Sequence, residues 1–123
     1  MGKSKTIIGV VGPCSAGKST LIAKLAKHGL SAKHIAQEHS YVKDMWQRIG
    51  KPDILIYLDV SYKQSMKRRP LNMSVHEFEE QNQRLIHARH HAECYLDTTT
   101  LTPQEVFAYV EEFLWNSKVQ LYG

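Results

Sequence analysis

Short, continuous apolar runs alternate along the chain with stretches in which apolar residues recur at helical spacing. Thr6-Ile7-Ile8-Gly9-Val10-Val11 is apolar throughout and rich in β-branched residues, the pattern of a strand buried on both faces of a parallel sheet. A glycine-containing loop follows. Leu21, Ile22, Leu25 and Ala26 then fall at helical spacing, and Gly29 after His28 supplies a C-terminal stop. A weaker second strand is expected from Ala32 to Gln37, and Val42 to Ile49 has room for a short helix that Gly50-Lys51-Pro52 ends. Asp53-Ile54-Leu55-Ile56-Tyr57-Leu58-Asp59-Val60 is the clearest second buried strand.

Ser61-x-x-Gln64, Ser74-x-x-Glu77 and Thr102-x-x-Glu105 each have the form of a capping box. In that motif a hydroxyl accepts from an early helical N–H and the later side chain reaches back to the cap. Pro103 at the first helical position strengthens the last of them. The Ser74 helix is expected to run to about Ala92 with Val75, Phe78, Leu85 and Ile86 on one face. The final helix carries Val106, Val110, Phe113 and Leu114 on one stripe. Between them Glu93-Cys94-Tyr95-Leu96-Asp97 reads as a short strand. Strands alternating with helices imply an α/β fold, a parallel sheet covered on both faces and joined by right-handed crossovers. About four strands in the order 2-1-3-4 are expected, forming a small three-layer domain over residues 1–123. The order then reverses beside the first loop, where such sheets bind ligands.

A length of 123 residues fits that single domain, and 42% hydrophobic with 23% charged residues is ordinary for a packed globular chain. No apolar run approaches the roughly 18 residues that cross a bilayer. Met1-Gly2-Lys3-Ser4-Lys5 leads into a short apolar run and then glycines, without a cleavage site, so a signal peptide is not expected. Met1-Gly2 with Thr6 fits a loose myristoylation pattern, although Thr6 reads better as the start of a strand. A soluble, cytoplasmic protein is the expectation. Cys14 and Cys94 are too few for a disulfide framework or a four-cysteine zinc site. Cys14 would lie in the first loop, where helix N–H groups lower a thiol's pKa and open a redox-sensing role. The formal charge of +4 suits anionic ligands but does not by itself point to nucleic acid.

The strongest chemical signal is Gly12-Pro13-Cys14-Ser15-Ala16-Gly17-Lys18-Ser19 followed by Thr20. It has the form G-x-x-x-x-G-K-S, set between a buried strand and an amphipathic helix. A chance match in a chain this long is roughly a few in a thousand. Gly12 and Gly17 permit backbone angles and close approach that a side chain blocks. Successive N–H groups backed by a helix N-terminus make an anion nest. Lys18 supplies a mobile cation for β- and γ-phosphates, and Ser19 a hydroxyl for Mg²⁺. A nucleoside triphosphate, ATP or GTP, with Mg²⁺ is the ligand this pattern implies.

From that loop onward the chain resembles the P-loop kinases of nucleosides, nucleotides and small metabolites. The likeness is carried by Gly12 to Thr20, Pro52 to Arg69, and Ala92 to Val106. The second stretch, with Lys67-Arg68-Arg69, is similar to the strand that leads into the kinase lid. The third is similar to the closing strand and capped helix. The resemblance implies transfer of the γ-phosphate of ATP or GTP to a small acceptor, with Asp59 at the lid base and cations from Arg68 and Arg69. Such kinases usually have about five parallel strands and a separate acceptor-binding segment. Here only Ser31 to Lys51 occupies that interval, so a helical insertion gripping a second nucleotide would not fit.

A carboxylate near Mg²⁺ or the nucleophile is also needed. Glu38, in Gln37-Glu38-His39-Ser40, is similar to the acid–basic pair at a strand end of deoxynucleoside kinases, and a metal-assisting or catalytic role follows for it. Asp59 matches a Walker B pattern as the end of an apolar strand; its alternative is a solvated carboxylate or helix cap, as it is for Glu38. Lys67, Arg68 and Arg69 are either lid cations acting on the transferring phosphoryl group or a basic helix C-terminus favoured by the macrodipole. Arg84 and Arg89 on the next helix are placed to join them. His87, His90 and His91 share helical spacing but read as a solvated basic helix end, and His34 is a singleton. His39 stands beside Glu38, within reach of substrate. Tyr41, Met45 and Trp46 either line an acceptor pocket or cover the sheet. Three functions remain open: a kinase, a triphosphatase in which water attacks, and a nucleotide-binding switch using residues 38–51. A nucleic-acid-binding module lacks any recognisable reading motif.

Overall fold

The computed structural model describes residues 6–70 and 72–117. Met1 and Gly2, on which the lipidation pattern turns, lie outside the described residues. In chain order the elements are β1 (Ile7–Val11), α1 (Lys18–Lys27), β2 (Ser31–His34), β3 (Ile54–Asp59), α2 (Tyr62–Arg68), α3 (Val75–His91), β4 (Cys94–Asp97) and α4 (Pro103–Asn116). The four strands form one parallel sheet in the order β2-β1-β3-β4. The two continuous apolar runs occupy its centre, with Ile8 opposite Ile54 and Val11 opposite Tyr57. The edge strands show why their sequences signal weakly. β2 is mostly exposed, and β4 alternates buried Cys94 and Leu96 with exposed Tyr95 and Asp97.

Each face of the sheet has its own core. Ile8, Val10, Ile56 and Leu58 meet Leu21 and Leu25 of α1 and Val106, Val110 and Leu114 of α4. On the opposite face Val11, Leu55 and Tyr57 meet Leu85 and Ala88 of α3, together with Ile35 and Trp46. Burying one such large side chain is worth about 1.5–3 kcal/mol, so these two layers supply the main drive to fold. Among the described residues no helix is long and apolar enough to cross a membrane.

The structure departs from the sequence expectations in four places. β2 ends at His34 rather than Gln37, and Gln37–His39 forms a single 3₁₀ turn. The cause is Gln37, fully buried, which replaces strand pairing with side-chain bonds. Its Nε2 donates to the carbonyls of Val42 (2.9 Å) and Arg84 (3.2 Å), and its Oε1 accepts from Trp46 N at 2.7 Å. The helix expected from Val42 to Ile49 is instead a turn followed by one wide π-type turn, Trp46–Gly50. There Gln37 satisfies the first N–H and Trp46 is drawn into the core.

Ser61 is only half a capping box: its Oγ accepts from Gln64 N, while its own N–H goes to Thr99 Oγ1. The boxes at Ser74 and Thr102 are complete. On α3 the inward face is Phe78, Gln81, Leu85 and Ala88. Val75 and Ile86 are 51% and 41% exposed, because Ile86 lies about 100° around the helix from Leu85 and Val75 sits in the first turn.

Candidate functional site

The loop between β1 and α1 is shaped by its glycines. Gly12 has φ 150°, and a Cβ there would lie 2.0 Å from the carbonyl oxygen of Leu58. Gly17, at φ 98°, is the residue that caps α1 and has open space around it, so its requirement is conformational rather than steric. Ser15 also takes positive φ, 66°.

The loop carbonyls are held by side chains from α1, from α2 and from Thr98 just after β4. Lys18 Nζ donates to the carbonyls of Gly12 and Pro13. Ser65 Oγ on α2 donates to Cys14 O at 2.9 Å, Arg68 Nη1 to Ser15 O at 3.1 Å, and Thr98 Oγ1 to Ala16 O at 3.0 Å. Gln81 on α3 takes the Cys14 N–H at 3.1 Å and donates its own Nε2–H to Cys14 Sγ at 3.2 Å. With the carbonyls so engaged, the backbone N–H groups of Ser15, Gly17, Lys18 and Ser19 donate to no acceptor among the described residues. α1 has no side-chain cap and no acidic residue in its first turn, so the partial positive charge of its N-terminus is uncompensated.

These N–H groups face a cavity of about 290 Å³ whose walls include Lys18, Ser19, Glu38 and Arg69. Cys14, His34 and His39 contribute to the same walls. Glu38 is 2% exposed. Its Oε2 accepts from Lys18 Nζ at 2.9 Å, and its buried Oε1 has no partner among the described residues. The 3₁₀ turn that follows β2 brings it there. Gln37 anchors that turn from one side, and Arg84 Nη1 on α3 holds Glu38 O at 3.2 Å from the other. His34 and His39 each bring Nε2 to 3.8 Å from Glu38 Oε2. Burial, and then the Lys18 charge, hold the His34 imidazole below its ordinary pKa.

A second cavity, of about 150 Å³, adjoins the loop on the other side of Gly17. Leu21, Leu101, Pro103 and Val106 give it apolar walls, with Arg68 and Thr98 at its edge. Arg68 is fastened in place, donating to Ser15 O, to Thr98 Oγ1 at 2.9 Å and to Thr98 O. Burial lowers its pKa, offset in part by Asp97.

Of the residues singled out in the sequence, Lys18, Ser19, Glu38 and Arg69 meet at one cavity, and Arg68 lines the other. Asp59 lies outside this group. Its carboxylate accepts from Tyr95 Oη at 2.5 Å and from Val60 N at 2.9 Å, with Arg89 Nη1 at 3.8 Å. Burial and the Asp59 bond push the Tyr95 phenol up to about 12. Lys67 is exposed. Trp46 is buried in the core, and Tyr41 is 88% exposed beneath the Arg84 guanidinium, 4.4 Å from its ring centroid. His87 accepts from Trp46 Nε1 at 3.1 Å and stacks on His91.

Sequence reasoning missed Gln37, Ser65, Gln81 and Thr98, which hold the loop and the Glu38 turn. Only Gln81 leaves a sequence signal, a polar residue at helical spacing among Phe78, Leu85 and Ala88. Compared with protein-family models and with curated proteins, the chain matches none.

Proposed function

We propose that this chain is a magnesium-dependent phosphotransferase that binds ATP or GTP and passes the γ-phosphoryl group to a small acceptor. The reading rests on one observation. The acceptor-free N–H groups at the start of α1, the Lys18 ammonium, the Glu38 carboxylate and Arg69 converge on a single cavity at the C-terminal end of β1. Free N–H groups and a helix N-terminus bind polyphosphate oxygens, and the apolar second cavity gives the base a place beside them. Lys18 lies within the buried loop, where a charge placed against β- and γ-oxygens is weakly screened.

The residues also fit the metal such transfers use. Ser19 is exposed at the helix start, and Glu38 keeps a buried oxygen without a partner, both hard oxygen donors of the kind Mg²⁺ takes. Mg²⁺ neutralises charge on the phosphates when bound. Glu38 takes the proton of the acceptor hydroxyl as that oxygen attacks, and Arg69 stabilises the charge spread over the transferring group. Arg68, tied to Ser15 and Thr98, sets the shape of the loop. Asp59, engaged by Tyr95 and Arg89, has no part in this scheme.

A second reading, a triphosphatase in which water attacks, is favoured by one feature. Neither Trp46, buried, nor Tyr41, exposed away from the cavity, lines a wall for an acceptor. The two readings separate in a screen with γ-labelled ATP and GTP, Mg²⁺ and a panel of small hydroxyl and phosphate acceptors. Label passing to an acceptor supports the kinase; label appearing only as inorganic phosphate, whatever is added, supports the hydrolase. Lys18→Ala should abolish either. If the wild-type chain neither binds nor turns over any common triphosphate, both readings fall.

A further inference from the structure

Cys14 has no part in the chemistry above, yet its environment is built. Gln81, buried on α3, fixes both its N–H and its sulfur. Cys14 Sγ, a Glu38 carboxylate oxygen and a His39 ring nitrogen all lie within 4.8 Å of one another. On tetrahedral zinc, with Zn–S near 2.3 Å and Zn–N or Zn–O near 2.0 Å, ligand atoms sit roughly 3.3–3.8 Å apart. A shift of about an ångström closes the set. An independent feature marks the same place: Glu38, its side chain 3% exposed, carries a buried Oε1 that nothing among the described residues satisfies. Such an oxygen is costly to leave unpaired, and a cation satisfies it. His39 is 61% exposed in its side chain, so an ion has access from solvent.

We infer that Cys14, Glu38 and His39 form a three-ligand site for a thiophilic divalent cation, of which Zn²⁺ is the probe, and that this ion holds the loop to the 3₁₀ turn. The donor set decides the class. Sulfur and imidazole nitrogen select zinc and its neighbours, whereas Mg²⁺ takes oxygen alone. As the metal–sulfur bond forms, the thiol proton passes to solvent. Lys18 already balances the carboxylate, so a doubly charged ion and one thiolate leave a single positive charge, with a fourth position for water. The ion engages Glu38 and stands at the mouth of the phosphate cavity, so it competes with a triphosphate. That last consequence rests on the proposed nucleotide binding; the metal site itself does not.

The test is calorimetric titration of the full chain with Zn²⁺, without nucleotide or Mg²⁺, alongside Co²⁺ absorption. One equivalent should bind, and the cobalt form should show a near-ultraviolet thiolate charge-transfer band. Cys14→Ser should remove the band and weaken Zn²⁺ binding by at least about 100-fold, and His39→Ala should weaken it comparably. A double variant at the exposed helix end, His90→Ala with His91→Ala, should keep the site. Unchanged affinity in Cys14→Ser with its circular dichroism intact, or loss of binding in the double variant, overturns the assignment. Triphosphate affinity is measured separately with Mg²⁺ in chelator-treated buffer, then with Zn²⁺ added. Triphosphate bound but zinc refused ends this inference alone. Zinc bound but triphosphate refused in both buffers leaves the metal site standing and ends the nucleotide reading.

Discussion

Glu38→Gln separates what the buried carboxylate does for the fold from what it does for chemistry. The substitution keeps the shape and removes one negative charge from a side chain 2% exposed, 2.9 Å from the Lys18 ammonium. Removing one partner of a fully buried ion pair costs about 3–5 kcal/mol. Here Lys18 retains the carbonyls of Gly12 and Pro13 and borders an open cavity, and the Gln amide oxygen still accepts. The loss is then closer to the difference between a charged and a neutral hydrogen bond, about 1–2 kcal/mol. Denaturant unfolding should show a lower midpoint with an unchanged slope.

Binding should move the other way. The cavity gains one unit of positive charge and Lys18 faces a neutral acceptor instead of a carboxylate, so calorimetry with MgATP or MgGTP should show affinity held or raised. Turnover should fall by about 10²–10⁴-fold, the usual contribution of a positioned general base. Full turnover in Glu38→Gln would sink the assigned role, and loss of triphosphate binding would show that Glu38 holds ligand rather than activating an acceptor.

Three further outcomes are expected. Gly12→Ala places a methyl 2.0 Å from Leu58 O at φ 150° and should destabilise the chain by about 2–4 kcal/mol. Gly17→Ala, with open space around it, should cost only about 1 kcal/mol, and equal losses at the two positions would refute the steric argument. Arg69→Ala should lower turnover far more than unfolding stability, while Arg68→Ala, which frees the carbonyls of Ser15 and Thr98, should lower both; the reverse order in kinetic and denaturant measurements would exchange their roles. Tyr95 should ionise near pH 12, a step that Tyr95→Phe removes from an ultraviolet titration. Because its folded pKa is raised, the unfolded chain loses that proton first, and Tyr95 lowers stability as pH rises from about 10 towards 12. A Tyr95 that titrates with the exposed tyrosines would refute the packing around Asp59.

Much of the fold was legible because its strongest signals are local. β1 and β3 are buried on both faces, and such strands must read as unbroken apolar runs. The boxes at Ser74 and Thr102 need only residues three apart. The G-x-x-x-x-G-K-S spacing likewise marks the loop locally, although Ser65, Arg68, Gln81 and Thr98, which hold its backbone, come from distant parts of the chain. Legibility failed where the partner is distant. Gln37 reads as the end of a strand until Trp46 and Arg84 are placed around it, 9 and 47 residues away. Ser61-x-x-Gln64 has the letters of a capping box, but Thr99 takes the N–H that Gln64 would have served.

The sequence by itself therefore determined the alternation of strand and helix, the parallel sheet and the glycine loop with its lysine, since each depends on propensity, periodicity or spacing along the chain. Tertiary structure decided which charged groups share a cavity. Glu38 follows β2 and Asp59 ends β3, yet one turns in to Lys18 and the other out to Tyr95 and Arg89. The physical reason is that carboxylate direction is set by tertiary neighbours, and Lys18 and Arg84 beside Glu38, and Tyr95 and Arg89 beside Asp59, reach those places only when the chain has folded.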